Sequence, residues 1–167
     1  QAEIDAQRSA TQPTLRAVRV QGAEQAQMSP DFMQALQQAQ TLVICPSNPV
    51  ISIGPILAVP GVRDAIGSFS GVRMAVSPII GGQALRGPAA KMLQELGEES
   101  SCVAVARRYV GLCDIFVLDE VDCARADEVE ALVARARLMK SSDTERRLEG
   151  MAIALLFEKP SLRTRVS

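Results

Sequence analysis

A short, uninterrupted apolar run, Leu42-Val43-Ile44-Cys45, constrains the fold of this chain more than any other feature of its sequence. Four apolar residues without polar alternation are typical of a strand that is buried on both faces, as in parallel sheets. Similar runs follow at residues 72–76 and 115–118, and segments of helical pattern separate them. The sequence therefore predicts an α/β fold in which helices cover both faces of a parallel sheet.

Helix signals locate the segments between the strands. Ser29 followed by Pro30 supplies an N-cap and a proline at the first helical position, which predicts a helix over residues 30–40. Pro88 and Gly97 mark the start and the end of another predicted helix. Further predictions are a helix over residues 101–112, helical structure in residues 125–148, and an edge strand at Leu15, Val18 and Val20.

Composition excludes several classes of function. The chain contains no histidine, which rules out imidazole metal ligands and an imidazole general base. Its 18 basic and 19 acidic residues give a formal net charge of −1, so no basic excess attracts a phosphate backbone or anionic lipid. Aromatic residues make up 3% of the chain, too few for a base-stacking surface. We therefore expect neither a nucleic acid polymer nor a membrane as a partner.

Cysteine usage and the start of the chain indicate a compartment. Cys45, Cys102, Cys113 and Cys123 form no C-x-x-C pair, which predicts buried free thiols in a reducing environment. The polar opening lacks the features of a signal peptide, and no apolar run approaches the roughly 18 residues of a membrane-spanning helix. The expected localisation is cytoplasmic.

Two loops that follow predicted strands carry polar groups suited to ligand binding, because ligands of open parallel sheets bind beyond the carboxyl ends of the strands. Ser47, Asn48 and Ser52 lie among prolines after the first strand, where they either bind a phosphate or nucleobase edge or cap the local backbone. After the second strand, residues 77–88 contain three glycines and Arg86, which suit either an anion site or a turn and helix cap.

An acidic segment, Asp119-Glu120-Val121-Asp122, follows the third predicted strand. Its carboxylates have the chemistry that Mg²⁺ prefers. The pattern favours a solvated acidic turn over a metal site, because charged groups at strand ends usually face water. Both interpretations stay open at this point.

Several linked motifs resemble the 2-phospho-L-lactate transferase family: Val43-Ile44-Cys45-Pro46-Ser47-Asn48-Pro49, Ser52-Ile53-Gly54-Pro55-Ile56-Leu57, Val76-Ser77-Pro78-Ile79-Ile80-Gly81-Gly82 and Phe116-Val117-Leu118-Asp119-Glu120. The resemblance covers about residues 13–148. It implies a Rossmann-like enzyme of coenzyme F-420 biosynthesis that moves a phospholactyl-type group from a guanosine diphosphate ester to the deazaflavin alcohol Fo, with Mg²⁺ and release of GMP. It also implies that residues 1–148 correspond to the C-terminal portion of such an enzyme.

The resemblance extends to individual residues for the donor only. It places Ser47, Asn48, Ser52, Gly81, Gly82 and Arg86 around the guanosine-diphosphate-linked donor. It assigns no catalytic residue and no metal ligand, and it leaves a homo-oligomer open. A non-catalytic α/β module that needs a partner chain is the alternative function.

Residues 149–167 resemble a different family, the ornithine carbamoyltransferases. Ser161, Arg163, Thr164 and Arg165 match the loop in which those enzymes bind carbamoyl phosphate. In such a loop, hydroxyl and guanidinium groups meet the phosphate beside a helix N-terminus. A fragment that binds carbamoyl phosphate is therefore a further alternative.

Overall fold

A computed structural model describes residues 15–139 and 153–156, and it gives the backbone alone for residues 135, 137–139 and 153–156. Four strands run parallel, and a fifth pairs antiparallel with the first. The strands of this sheet are Thr41–Ile44 (β1), Val72–Val76 (β2), Ile115–Asp119 (β5), Arg135–Met139 (β6) and Ile153–Leu156 (β7), in the order β6-β5-β2-β1-β7, and Ile79–Ile80 (β3) and Gln83–Ala84 (β4) form a separate hairpin. The predicted α/β fold with a parallel, Rossmann-like sheet is confirmed.

Helices connect the parallel strands as the alternating sequence predicts. They are Pro30–Gln38 (α1), Ile53–Ala58 (α2), Val62–Gly67 (α3), Ala89–Glu95 (α4), Cys102–Arg108 (α5) and Ala126–Glu130 (α6), with 3-10 helices at Ala23–Gln25 and Glu120–Arg125. The hydroxyl of Ser29 accepts a hydrogen bond from the Phe32 N–H at 3.1 Å, which confirms the predicted N-cap of α1. No helix in residues 15–139 has the length and apolar character needed to cross a membrane.

The core consists of two clusters on opposite faces of the sheet, because successive side chains of a strand point to opposite sides. The first cluster contains Ile44, Phe116 and Leu118 from the strands, together with buried residues from all six described helices. The second cluster contains Val43, Cys45, Val76 and Val117. Strands that bury both faces explain why the sequence shows continuous apolar runs instead of alternation.

Tertiary pairing overrides the sequence pattern in two segments. Residues 15–20 form no strand; the Leu15 N–H donates to the Glu95 carboxylate at 3.0 Å, so that backbone group is bonded to a side chain and not to a neighbouring strand. The helical structure predicted in residues 125–148 is wrong at residues 135–139, because β6 pairs along its whole length with β5, and residues 140–148 lie outside the described residues. Both outcomes depend on partners that are distant in sequence, which local propensity does not contain.

Candidate functional site

The carboxyl ends of β1, β2 and β5 meet at one edge of the sheet because these strands are parallel and adjacent. Three loops leave this edge: residues 45–52 after β1, residues 77–88 after β2, and the 3-10 helix Glu120–Arg125 after β5. Open parallel sheets bind ligands at this edge. The two predicted binding loops and the acidic segment therefore lie at the same edge of the fold.

Asn48 holds the first loop in its conformation. Its Oδ1 accepts hydrogen bonds from the N–H groups of Val50 at 2.9 Å and Ile51 at 3.2 Å, and its backbone carbonyl accepts from Ser52 and Ile53 at 3.0 Å each. Its Nδ2 donates to the Met92 Sδ at 3.4 Å, which joins the loop to α4. The Asn48 carboxamide thus satisfies local backbone groups, as asparagine often does in turns.

The hydroxyl groups of the two serines in the first loop make no hydrogen bond to the residues that the structure describes. Ser52 is the N-cap residue of α2, but its side chain makes no capping hydrogen bond. Within residues 15–139, the Ser47 side chain also makes no hydrogen bond, although its N–H donates to the Cys45 carbonyl at 2.7 Å. Both residues are partly exposed, so their hydroxyl groups are open to a ligand.

Gly81 and Gly82 form the tip of the hairpin between β3 and β4, with φ of +54° and +80°. Neighbouring segments fix this tip from two sides. The Gly81 N–H donates to the Asp122 carboxylate at 3.1 and 3.2 Å, and the Gly82 carbonyl accepts from the Ser100 hydroxyl at 2.7 Å. The hairpin is therefore an ordered part of the edge. Arg86 follows β4 and is exposed, two residues before the N-cap Pro88 of α4.

An ion-pair cluster supports the segments that hold the hairpin. The Arg125 guanidinium donates to the two Glu99 carboxylate oxygens at 2.7 and 3.1 Å and also pairs with Glu128. These hydrogen bonds lower the pKa of both carboxyl groups. Glu99 immediately precedes Ser100, and Arg125 ends the 3-10 helix that contains Asp122. The cluster therefore ties together the two segments that contact Gly81 and Gly82.

The acidic segment after β5 is only partly solvated. Glu120 is exposed and Asp122 is half-buried, whereas Asp119 is 7% exposed. The Asp119 Oδ1 accepts the Val121 N–H at 3.0 Å and caps the 3-10 helix. Its Oδ2 is buried and has no hydrogen-bond partner in the part of the chain that the structure describes. The interpretation as a solvated turn thus fits Glu120 but not Asp119.

A surface cavity of about 340 Å³ opens beside the first loop. The charged groups that line it are the paired Arg108 and Glu98. The lining residues are Val18, Val20, Pro49, Val50, Gly54, Leu96, Glu98 and Arg108. Sequence reasoning missed Glu98 and Arg108, because nothing in their local sequence shows that the fold places them beside residues 49–54.

All four cysteines are free, as predicted, and three of them are buried. Burial raises the pKa of the Cys102 thiol to about 11 and that of the Cys113 thiol to about 12. Protonated thiols are poor nucleophiles and poor metal ligands, so these two cysteines serve the core. Cys123 is exposed, and the prediction that it is buried is wrong.

The residues described contain no group of three or more acidic or cysteine side chains that could hold a metal ion by themselves. Mg²⁺ commonly uses one or two carboxylates together with substrate phosphates and water. Asp122 and Glu120 suit that mode, since both have solvent access at the carboxyl edge. The predicted carbamoyl-phosphate loop, Ser161, Arg163, Thr164 and Arg165, lies outside the described residues.

Comparison with known proteins gives a single family. A model of the family described as 2-phospho-L-lactate transferase CofD matches residues 1–156. The chain is 47% identical over 117 residues to a phosphoenolpyruvate transferase of Streptomyces griseus, covering 70% of this chain and 37% of that protein. It is 38% identical over 148 residues to a 2-phospho-L-lactate transferase of Methanosarcina barkeri, covering 86% of this chain and 47% of that protein.

A third relative gives the same coverage pattern. The chain is 43% identical over 141 residues to a phosphoenolpyruvate transferase of Thermobifida fusca, covering 82% of this chain and 42% of that protein. The chain thus spans less than half the length of the curated relatives it matches. The matched residues include all three loops at the carboxyl edge of the sheet.

Proposed function

This chain belongs to the 2-phospho-L-lactate transferase CofD family, and from that premise we propose that it acts in a transferase of coenzyme F-420 biosynthesis. The donor is a guanosine diphosphate ester whose terminal phosphorus belongs to the transferred phospholactyl-type group, and the acceptor is the deazaflavin alcohol Fo. The acceptor oxygen bonds to the phosphorus that carries the acid, the bond from that phosphorus to the GMP oxygen breaks, and the alcohol loses its proton. The products are the phosphodiester and GMP.

The family match across all three loops of the carboxyl edge is the observation that carries this proposal. Phosphoryl-type transfer depends mainly on positioning and on charge neutralisation, so a site without histidine suits it. The edge supplies the uncommitted hydroxyl groups of Ser47 and Ser52, and it supplies two glycines whose lack of a side chain lets a ligand approach the backbone. These groups are suited to a diphosphate.

Mg²⁺ is part of the proposal, and when bound it neutralises charge on the diphosphate of the donor. Asp122 and Glu120 are the residues that would hold it, together with the phosphates of the donor. The Asp122 carboxylate also accepts the Gly81 N–H, which keeps it at the hairpin. Titration with Mg²⁺ in the presence and absence of GDP tests this, because joint binding makes each ligand tighten the other.

Nucleotide binding tests the donor site directly. We expect GDP with Mg²⁺ to raise the melting temperature of the chain, because a ligand that binds only the folded state stabilises it. The double variant Ser47→Ala, Ser52→Ala should bind GDP at least about fivefold more weakly, the loss expected for one or two hydrogen bonds. Its melting temperature without ligand should stay unchanged, since neither hydroxyl bonds to residues 15–139.

Ser70→Ala is the matched control for these serines, because Ser70 is exposed in the segment before β2, at the opposite edge of the sheet. It should bind GDP as the unsubstituted chain does. Absence of any thermal shift at millimolar GDP with Mg²⁺ would contradict the proposed donor site. Release of GMP from the donor in the presence of Fo, followed by chromatography, tests the transfer itself.

The relatives are named after two different acids, phospholactate and phosphoenolpyruvate, and either one could be the acid in the donor. Both are three-carbon acids that carry a phosphate. Offering the two guanosine diphosphate esters in competition and weighing the product by mass spectrometry assigns the acid, since the two products differ by two hydrogen atoms.

A further inference from the structure

Asp119 is a buried carboxylate, and only one of its two oxygens has a hydrogen-bond partner among the described residues. Val117, two residues earlier on β5, belongs to the second cluster, so the Asp119 side chain leaves the strand on that same face. The residue is 7% exposed, and only its Oδ1 has a hydrogen-bond partner in the described ranges, the Val121 N–H. Native folds rarely bury an acceptor without a donor, and such an atom is a mark of a missing partner.

The position of Asp119 indicates what that partner is. β5 lies between β2 and β6, and the Val117 carbonyl accepts the Ser77 N–H at 2.9 Å where β2 turns into the second loop. Asp119 therefore lies at the carboxyl edge, at the start of the 3-10 helix whose Asp122 bonds to Gly81. In dinucleotide-binding Rossmann folds, an acidic residue near the carboxyl edge of the sheet accepts a hydrogen bond from a ribose hydroxyl, and Asp119 has the same chemistry at the same edge.

We propose that the Oδ2 of Asp119 accepts a hydrogen bond from a ribose hydroxyl of the nucleotide that binds at this edge, an inference that rests on the proposed function. A hydroxyl suits the geometry better than a cation does. The oxygen is buried, whereas Mg²⁺ needs six ligands and retains several waters. The Oδ1 cap on Val121 orients the carboxylate, so that Oδ2 is held in a fixed direction.

Nucleotides that lack one hydroxyl test this contact. In calorimetric titrations with Mg²⁺, we expect the chain to bind GDP about tenfold more tightly than 2′-deoxy-GDP or 3′-deoxy-GDP, whichever lacks the bonded hydroxyl. Asp119→Asn keeps the size and the capping oxygen but replaces the free acceptor with an amide donor. This variant should bind GDP more weakly and should no longer distinguish it from the deoxy nucleotide.

Asp64→Asn is the matched control, because Asp64 is exposed and its carboxylate bonds to nothing within residues 15–139. It should keep the tenfold preference. Equal binding of all three nucleotides by the unsubstituted chain would overturn the inference even if Asp119→Asn fails to fold, and it would leave the proposed function standing. If GDP binding by Asp119→Asn no longer depends on Mg²⁺ but still distinguishes GDP from the deoxy nucleotide, Asp119 is a cation ligand and the inference is wrong.

Failure of the unsubstituted chain to bind GDP at all would contradict both the proposed function and the inference.

Discussion

Gly81 and Gly82 show how a single backbone angle fixes a residue type. Both have positive φ, a conformation that is costly for residues with a Cβ. A Cβ on Gly81 would also lie 3.3 Å from the Val121 Cγ1. The tip of the hairpin therefore depends on glycine for its conformation, independently of any ligand.

Gly82→Ala should destabilise the chain by about 1–2 kcal/mol, because alanine in the left-handed region carries that cost. The space around Gly82 is not the cause, since an added Cβ would be 3.5 Å from the Ser100 carbonyl, an ordinary contact. Urea denaturation measures the change. Gly67→Ala is the control: Gly67 ends α3 without positive φ, and the substitution should be neutral or stabilising by less than about 1 kcal/mol. Equal losses in the two variants would contradict the backbone argument.

Asn48 shows where residue-scale prediction from sequence ends. The sequence identifies a carboxamide in a proline-rich loop after a buried strand, and that placement is observed. The structure adds that its Oδ1 accepts two backbone N–H groups. Whether such an oxygen binds the backbone or a ligand depends on the loop conformation, which the residue type does not determine.

The Arg73 side chain bonds to several segments at the amino edge of the sheet. Its guanidinium pairs with Asp114 just before β5 and donates to the carbonyls of Gly67 at 2.9 Å and Gly111 at 3.0 Å. The Arg73 N–H on β2 also donates to Asp114 at 3.2 Å. One side chain thus joins the end of α3, the turn after α5 and the start of β5, which sets the position of β5 beside β2.

The Arg73–Asp114 pair should make the free energy of unfolding depend on pH. The hydrogen bond from Arg73 lowers the pKa of Asp114 below its ordinary value of 3.8. A carboxyl group whose pKa is lower in the folded state adds stability above its unfolded pKa and loses that contribution as pH falls through the folded pKa. Asp114→Asn should therefore be less stable than the unsubstituted chain at pH 7, with the difference shrinking below about pH 4.

Urea denaturation at a series of pH values measures that difference. The effect at pH 7 should be about 1 kcal/mol or less, since the Asp114 side chain is 40% exposed and water screens the pair. Asp64→Asn again serves as the control, because its carboxylate makes no hydrogen bond or ion pair within residues 15–139. A difference that is constant from pH 3 to pH 7 would show that the charge of Asp114 does not contribute.

Elements with a strong local signal are predictable to within a residue or two. β2 spans the predicted residues 72–76, and α4 lies between Pro88 and Gly97 as predicted. α5 ends at Arg108, four residues before the predicted end at 112, because Gly111 adopts a positive φ in the turn that follows. β6 was not predictable, since its charged residues form a strand only by pairing with β5.

The whole molecule depends on burial at both faces of the sheet, and one matched pair of isoleucines tests this. Ile44 on β1 is fully buried, whereas Ile51 in the following loop is 48% exposed. Ile44→Val removes one methylene from a packed core and should cost about 0.5–1.5 kcal/mol. Ile51→Val should change the free energy of unfolding by less than about 0.5 kcal/mol. Chemical denaturation measures both, and similar losses would show that burial of Ile44 does not contribute to stability.

The fold class, the strands β1, β2 and β5, the cap of α1 and the family are all readable from the amino-acid sequence. These follow from local signals, because runs of apolar residues, caps and loop motifs lie within a few residues of each other. Tertiary structure alone decided that residues 135–139 extend the sheet, that Asp122 and Ser100 hold the glycine hairpin, and that Asp119 is buried with one free oxygen. Each of these depends on groups brought together across tens of residues, and the energy of such contacts appears only when the chain has folded.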